Sequence, residues 1–358
     1  MERFEVGGEV ILPGERRLVV LPVSRLSNHT QVTLPVQVIR GHARGRVLAV
    51  TAAVHGDELN GVEIIRRLAR MIRPEGLAGT LMCVPVVNAY GFVVRSRYMP
   101  DRRDLNRSFP GSATGSLAAR LAHLLLTEVI ARADVGIDLH TAAVHRVNLP
   151  QIRSAFSKRP SARELARAFG AEVVLDSPER AGSLRKAAAD TGKDVLVYEG
   201  GEGLRYDEFA ITAGVDGIAR VMEHLRMIEI GDGDGALELK PEREPVFADS
   251  SKWVRAPEGG VLRTSRRIGE AVSEGDVIGH IASPYEDGDL AVRAPCRGII
   301  IGRTTLPIVN MGDALFHIAW SRDMLAGSAV RRGAKASPVP GEGAPHADEP
   351  VLDEDEII

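Results

Sequence analysis

The sequence predicts a three-layer α/β/α sandwich with a mixed sheet, followed by a small all-β domain. Two observations carry this reading. Between about residues 47 and 227, apolar runs of strand character alternate with stretches of helical period, as in a sheet covered on both faces by helices. Beyond about Trp253 the helical period is lost, and short apolar runs recur between Gly, Pro and Asp. A chain of 358 residues, 44% of them apolar, is long enough for both parts and can bury a sizeable core.

Residues 1–45 alternate apolar and polar side chains, as in Arg17-Leu18-Val19-Val20-Leu21-Pro22-Val23 and again over residues 31–40. They predict antiparallel edge strands. Residues 47–53 predict a buried strand and residues 61–70 an amphipathic helix. Residues 79–88 predict a second buried strand, and the charged stretch 91–115 a long loop whose length suggests a function. Ser116 stands where it can cap a helix carrying Leu117, Leu121, Leu124, Leu125 and Val129. A short strand over residues 133–141 carries His140 near its end. Helix 161–170, strand 171–175, helix 183–191, strand 194–201 and a closing helix from about Glu208 to Met227 complete the series.

The expected domains are a catalytic α/β domain over residues 1–230 and a β-rich domain over 241–325. Between them lies a linker at 231–240, marked by Gly231-Asp232-Gly233-Asp234-Gly235. Residues 326–358, rich in Pro, Gly and acid, predict a disordered acidic tail.

Composition excludes several classes. The formal charge of -3 and the lack of a basic stripe with interleaved aromatics argue against a nucleic-acid partner. The two cysteines, Cys83 and Cys296, are too far apart in sequence for a disulfide framework or a CxxC metal site, which suits a reducing compartment. No signal-peptide pattern opens the chain, and no apolar run reaches the ~20 residues of a membrane span. The expected location is the cytoplasm, without a membrane partner.

The chemistry gathers around Val54-His55-Gly56-Asp57-Glu58-Leu59-Asn60-Gly61, where a strand end turns into a helix. In open α/β sheets that edge binds ligands. An imidazole and a carboxylate are good zinc donors, and a catalytic zinc takes three protein ligands and an open position. His140 is the candidate third ligand, with Asp138 on the same side of its strand as an orienting carboxylate. Asp57 reads as an orienter near the turn. Glu199 ends an apolar strand ahead of Gly200-Gly201 and is the candidate base, with Glu202 a less well fixed competitor. The long loop holds Arg95, Arg97, Arg102, Arg103 and Arg107, and within it Asp104-Leu105-Asn106-Arg107-Ser108-Phe109-Pro110-Gly111 suits recognition of a carboxylate.

Taken in order, His55-Gly-Asp-Glu58, Arg97-Tyr98, Asp104-Leu-Asn106-Arg107, Asp138-Leu-His140 and Glu199 resemble the succinylglutamate desuccinylase/aspartoacylase family, over roughly residues 1–320. These are zinc-dependent amidohydrolases with a zinc-carboxypeptidase-like fold. The resemblance implies one zinc per chain held by His55, Glu58 and His140, with Glu199 as general base and acid. It implies that Arg97 polarises the scissile carbonyl and that Asn106 and Arg107 hold a substrate carboxylate. For the family's further substrate arginine, Arg185 is chosen among Arg185, Lys186 and Lys193. The implied reaction is hydrolysis of a small N-acyl amino acid. Two alternatives stand beside it: a zinc carboxypeptidase acting on peptide C-termini, and a non-catalytic carboxylate-binding homologue.

The C-terminal module resembles the hairpins of biotinyl/lipoyl-type barrels at residues 272–279 and 292–300. No Lys occurs from Val254 to Ala319, so a swinging-arm carrier is excluded. A domain that shields the site is expected, and it is a candidate for a homo-oligomer contact.

Overall fold

Alternation along the strands of the first unit explains why helices cover both faces of its sheet. The elements are β1 (Phe4–Val6), β2 (Glu9–Ile11), β3 (Arg16–Arg25), β4 (Gln31–Arg40), β5 (Ala43–Ala52), α1 (Asn60–Met71), β6 (Ala78–Val84), α2 (Ala89–Val94), α3 (Leu117–Glu128), β7 (Val135–Ala142), β8 (Arg146–Ser154), α4 (Pro160–Phe169), β9 (Val173–Asp176), α5 (Leu184–Asp190), β10 (Asp194–Glu202) and α6 (Glu208–His224). The computed structural model describes residues 3–25, 27–231, 239, 244–285, 287–322 and 324. The chain divides into two compact units between Phe247 and Ala248. The expected acidic tail at 326–358 lies outside the described residues, as does the expected linker at 231–240 apart from Gly231 and Leu239.

The sheet of the first unit runs β9-β8-β10-β7-β5-β6-β4-β3. Strands β10, β7, β5 and β6 are parallel, whereas β8 lies antiparallel to β10 and β4 antiparallel to both β6 and β3. Successive side chains on a strand face opposite ways. Leu48, Val50 and Ala52 of β5, with Leu81 and Cys83 of β6, therefore join one core beneath α1, α4 and α6. Ala49, Met82 and Val84 join a second core beneath α3 and α5.

Helix α1 shows how sequence makes one layer. Ile64, Ile65, Leu68 and Ala69 recur on one face and are buried, while Glu63 in the first turn and Arg70 in the last suit the helix dipole. The helix ends at Ile72, whose backbone is extended, two residues before Pro74. Truncating a buried leucine such as Leu68 to alanine costs about 2–5 kcal/mol.

Two elements differ from the sequence-based expectation. The strand expected to reach Asn88 stops at Val84, and Asn88 caps the short helix α2, its Oδ1 accepting from the Gly91 amide at 2.9 Å. Strand β8 was not expected at all, because Pro150 interrupts it and proline argues against an inner strand. It nonetheless pairs β10 on one side and β9 on the other.

In the second unit, Ala314–Trp320 pairs antiparallel with Ser250–Arg255 and with Gly298–Thr304. Asp289–Arg293, Val277–Ala282, Gly260–Thr264 and Ile308–Val309 form a further sheet in that order. Leu262, Ile278, Ile300, Leu315 and Phe316 lie in its core. Among the described residues, no helix is long and apolar enough to cross a membrane.

Candidate active site

Backbone contacts set the turn after β5 before any functional side chain is placed. Ala52 and Ala53 carbonyls accept from the amides of Val87 and Asn88 at 3.0 and 2.8 Å, and Ala53 sits in the left-handed region at φ 47°. A Cβ on Gly56 would lie 1.9 Å from the Gly91 carbonyl carbon, so only glycine lets the turn close against α2. Asn60, fully buried at the start of α1, donates from Nδ2 to the Gly200 carbonyl and accepts at Oδ1 from the Asp207 amide, both at 3.0 Å. That one side chain ties the His55–Glu58 turn to the turn that follows Glu199.

His55, Glu58 and His140 are buried together, with one donor atom from each lying within 4.8 Å of the others. His55 Nδ1 lies 2.6 Å from Glu58 Oε1, and His140 Nδ1 lies 2.8 Å from Glu58 Oε2. Both Nδ1 atoms thus converge on one carboxylate. The far side of each ring is held by another carboxylate: His55 Nε2 donates to Asp104 Oδ1 at 3.1 Å, and His140 Nε2 donates to Asp138 Oδ2 at 2.7 Å. Asp138 is fixed in turn by the Thr51 hydroxyl, which donates to its Oδ1 at 2.6 Å. Two imidazoles and a carboxylate, with both rings oriented by carboxylates behind them, form a donor set that fits a tetrahedral cation with one position left for water.

The charges within this group bias one another. Burial and the Arg97 charge press His55 down, but Glu58 and Asp104 outweigh them and carry it up to about 9. His140 is likewise raised well above its ordinary value, Asp138 and Glu58 overcoming burial. Burial pushes Glu58 up, yet the two histidines hold it well below the usual carboxylate range. Asp104 is lowered against burial by His55, Arg97 and Arg107. Asp57 behaves differently: burial and the neighbouring Glu58 charge raise it. Its Oδ1 is buried without a hydrogen-bond partner among the described residues, and His55 takes its orientation from Asp104 instead.

Glu199 pairs in register with His140 across β10 and β7, which sends both side chains to the same face. Strand β8 holds its carboxylate from the other side, with Asn148 Nδ2 3.3 Å from Oε2 and Arg153 Nη1 3.7 Å from Oε1. Glu202 accepts from the His145 amide at 3.1 Å and so serves the turn between β7 and β8. Arg97 is buried beside the triad, its Nη2 donating to Asp104 Oδ2 at 2.9 Å and its Nη1 3.4 Å from Glu58 Oε1. Arg95, Arg102 and Arg103 are exposed.

Asn106 Oδ1 accepts from the Leu184 amide at 2.9 Å, and the Phe109 amide donates to the Gly182 carbonyl at 2.9 Å. The segment after Asp104 therefore docks on the start of α5, the helix that carries Arg185. Arg107 Nη1 donates to the Asn106 carbonyl at 2.8 Å. Arg185 donates from Nη2 to the Pro178 carbonyl at 2.7 Å, while its Nη1 is buried without a partner among the described residues. Burial, then the Arg153 charge, pull Arg185 down to about 10. Sequence reasoning assigned no role to Asn60, Asn148 or Arg153. Asn148 and Arg153 lie on a strand whose apolar alternation Pro150 and Gln151 interrupt, and Asn60 opens α1 directly after the His55–Glu58 turn.

The chain is similar to proteins of one family. Residues 44–225 match the succinylglutamate desuccinylase/aspartoacylase catalytic domain. The chain is 27% identical over 297 residues to an N-alpha-acetyl-L-2,4-diaminobutyric acid deacetylase of Halomonas elongata, covering 80% of this chain and 86% of that one. A crystal structure of succinylglutamate desuccinylase/aspartoacylase from Rhodobacter sphaeroides superposes with a TM-score of 0.73 at 26% identity, over 86% of this chain and 95% of that one. The product-bound ectoine utilization protein EutE of Ruegeria pomeroyi shares the fold with the same TM-score and coverage at 23% identity. The match over half of its length, with His55, Glu58 and His140 brought together inside it, shows that this chain belongs to the succinylglutamate desuccinylase/aspartoacylase family of deacylases.

Proposed function

We propose that this chain is a cytoplasmic, zinc-dependent hydrolase, with one zinc per chain, that cleaves the amide bond of a small N-acyl amino acid. The observation that carries the reading is the convergence of His55, Glu58 and His140 with Glu199 opposite His140 on the next strand. Zinc held there supplies a Lewis acid that lowers the pKa of a water molecule and polarises a carbonyl.

The remaining work falls to the chain's own residues. Glu199 takes a proton from the attacking water as its oxygen adds to the amide carbon. It gives that proton to the leaving nitrogen as the C–N bond breaks. Arg97, buried against the triad, stabilises negative charge developing on the carbonyl oxygen, where removing one such donor typically costs ~10²–10³ in rate. Asn106, Arg107 and Arg185 bind the substrate carboxylate, a reading favoured by the docking of the Asn106 segment on the start of α5.

The Halomonas elongata relative supports an N-acetylated amino acid over a peptide as substrate. A carboxylate-binding protein without catalysis has no use for a buried glutamate next to the histidine pair. The test is amine release from Nα-acetyl-L-2,4-diaminobutyrate, N-acetyl-L-aspartate, N-succinyl-L-glutamate and a C-terminal dipeptide, each with and without a chelator. Chelator-sensitive release from an N-acyl amino acid is expected. Release from the dipeptide alone favours the carboxypeptidase, and no release from any of them leaves only the binder.

A further inference from the structure

The buried side chains of β8 are not used by the proposed mechanism, and Asn148, which touches Glu199, holds an acceptor without a partner among the described residues. Asn148 is 1% exposed and stands opposite Gly201 in the β8–β10 register, two residues beyond Glu199. Its Nδ2 lies 3.3 Å from Glu199 Oε2. A carboxylate oxygen only accepts hydrogen bonds, so the NH₂ end of the amide takes the Glu199 contact and the carbonyl end is left without one. That carbonyl, Oδ1, is buried and has no hydrogen-bond partner among the described residues. Native structures pair nearly all such groups, so an acceptor left over beside a catalytic carboxylate points to a ligand donor.

The donor can be named from the reaction. A nitrogen that receives a proton from Glu199 must approach the Glu199 carboxylate to hydrogen-bonding distance. Arg153 faces Oε1 of that carboxylate at 3.7 Å, whereas Asn148 contacts Oε2. A nitrogen arriving there comes beside the Asn148 amide. We infer that Asn148 contacts the substrate, its Oδ1 accepting a hydrogen bond from the scissile amide N–H and then from the leaving amine. The inference rests on Glu199 being the general base and acid. Arg153, by contrast, acts through Glu199 and is a positioning residue.

An ester isostere separates the two roles, because the oxygen that replaces the scissile nitrogen carries no hydrogen until Glu199 protonates it. The experiment measures kcat/KM for the N-acyl amino acid of the panel that is turned over fastest and for its ester isostere. Wild-type enzyme, Asn148→Ala, Asn148→Ser and Arg153→Met are compared, with zinc content and melting temperature as checks on folding. In Asn148→Ala the amide value is expected to fall about 10- to 100-fold, the span covered by losing one or two placed hydrogen bonds. The ester value should fall about tenfold less, and Asn148→Ser, which keeps a hydroxyl acceptor, should recover part of the difference. Arg153→Met should lower both substrates alike. Equal losses on amide and ester in both Asn148 variants, or no loss in either, overturn the inference and leave the proposed function standing. A wild-type enzyme that hydrolyses no N-acyl amino acid overturns the proposed function itself, and this inference with it.

Discussion

Glu199 stands opposite His140 on the neighbouring parallel strand, so a candidate base and a candidate metal ligand share one sheet face at one height. Sheet register, rather than a loop, sets their separation, and rigid elements hold reacting groups more tightly than loops do. Glu199→Gln should therefore keep its fold and its zinc while kcat falls about 10²–10⁴-fold. Metal analysis and steady-state kinetics on the same preparation check this, and full activity in the variant removes Glu199 from the mechanism.

Protons and zinc should compete for the triad. His55 is raised from 6.5 to about 9, and His140 is also raised, so the folded chain binds more protons there than the unfolded chain does. That contribution to stability is fully present below pH 6.5 and is lost as pH rises through about 9. Glu58 runs the other way, contributing above its ordinary 4.5 and losing that contribution as pH falls through its lowered value. Because zinc needs the neutral imidazole, its affinity should climb between pH 6 and 9, with protons released on uptake. Calorimetry in buffers of differing ionisation heat measures both, and an affinity that is flat with pH contradicts the expectation.

The carboxylates behind the histidines should matter to metal more than to fold. Asp138→Asn and Asp104→Asn each replace the charged acceptor behind a ring nitrogen, at 2.7 and 3.1 Å, with a neutral amide. Zinc affinity should fall about 10- to 100-fold in each variant. Competition with a fluorescent chelator reads this directly, and unchanged affinity in both variants shows that the rings are oriented by something else.

Asn106 offers two functions that one pair of variants can separate. Its Oδ1 accepts from the Leu184 amide, so Asn106→Ala should loosen the start of α5 and cost about 1 kcal/mol of stability. Asn106→Asp keeps that acceptor. It should hold the melting temperature within about 2 °C of wild type while raising KM, since a carboxylate repels a substrate carboxylate. A KM unaltered in Asn106→Asp assigns the residue to the fold alone.

Gly56 is the sharpest structural test. An alanine Cβ would lie 1.9 Å from backbone of α2, which cannot yield as a side-chain tip can. Gly56→Ala should cost at least about 3 kcal/mol and lower zinc binding with it. Urea unfolding checks the cost, and a change below about 0.5 kcal/mol shows that the turn has room to move.

Much of this was legible along the chain because it depends on neighbours in sequence. The helical period of Ile64, Ile65 and Leu68 announces α1, and the Ser116 hydroxyl accepts from the Ala119 amide at 3.3 Å, as its place before an apolar run predicts. Spacing alone puts His55 and Glu58 on one turn, and Asp138 and His140 on one side of one strand. Helix α2 was not legible, since its 6 residues are too few to display a period. Nor was β8, where Pro150 breaks the apolar pattern while Asn148, Gln151 and Ser154 are buried polar side chains.

By itself, then, the sequence determined the layered fold of the first unit, the β character of the second, and the residue types of the candidate donors and base. Each of these follows from short-range periodicity or from chemistry carried on one turn or strand. The tertiary structure alone decided that both Nδ1 atoms face Glu58, that Asp104 crosses 49 positions to hold His55, and that Asn60 joins the His55–Glu58 turn to the turn after Glu199. It alone decided that β8 grips Glu199 through Asn148 and Arg153. Those contacts depend on strand order and register, which the packing of the whole sheet determines and which no local stretch of sequence encodes.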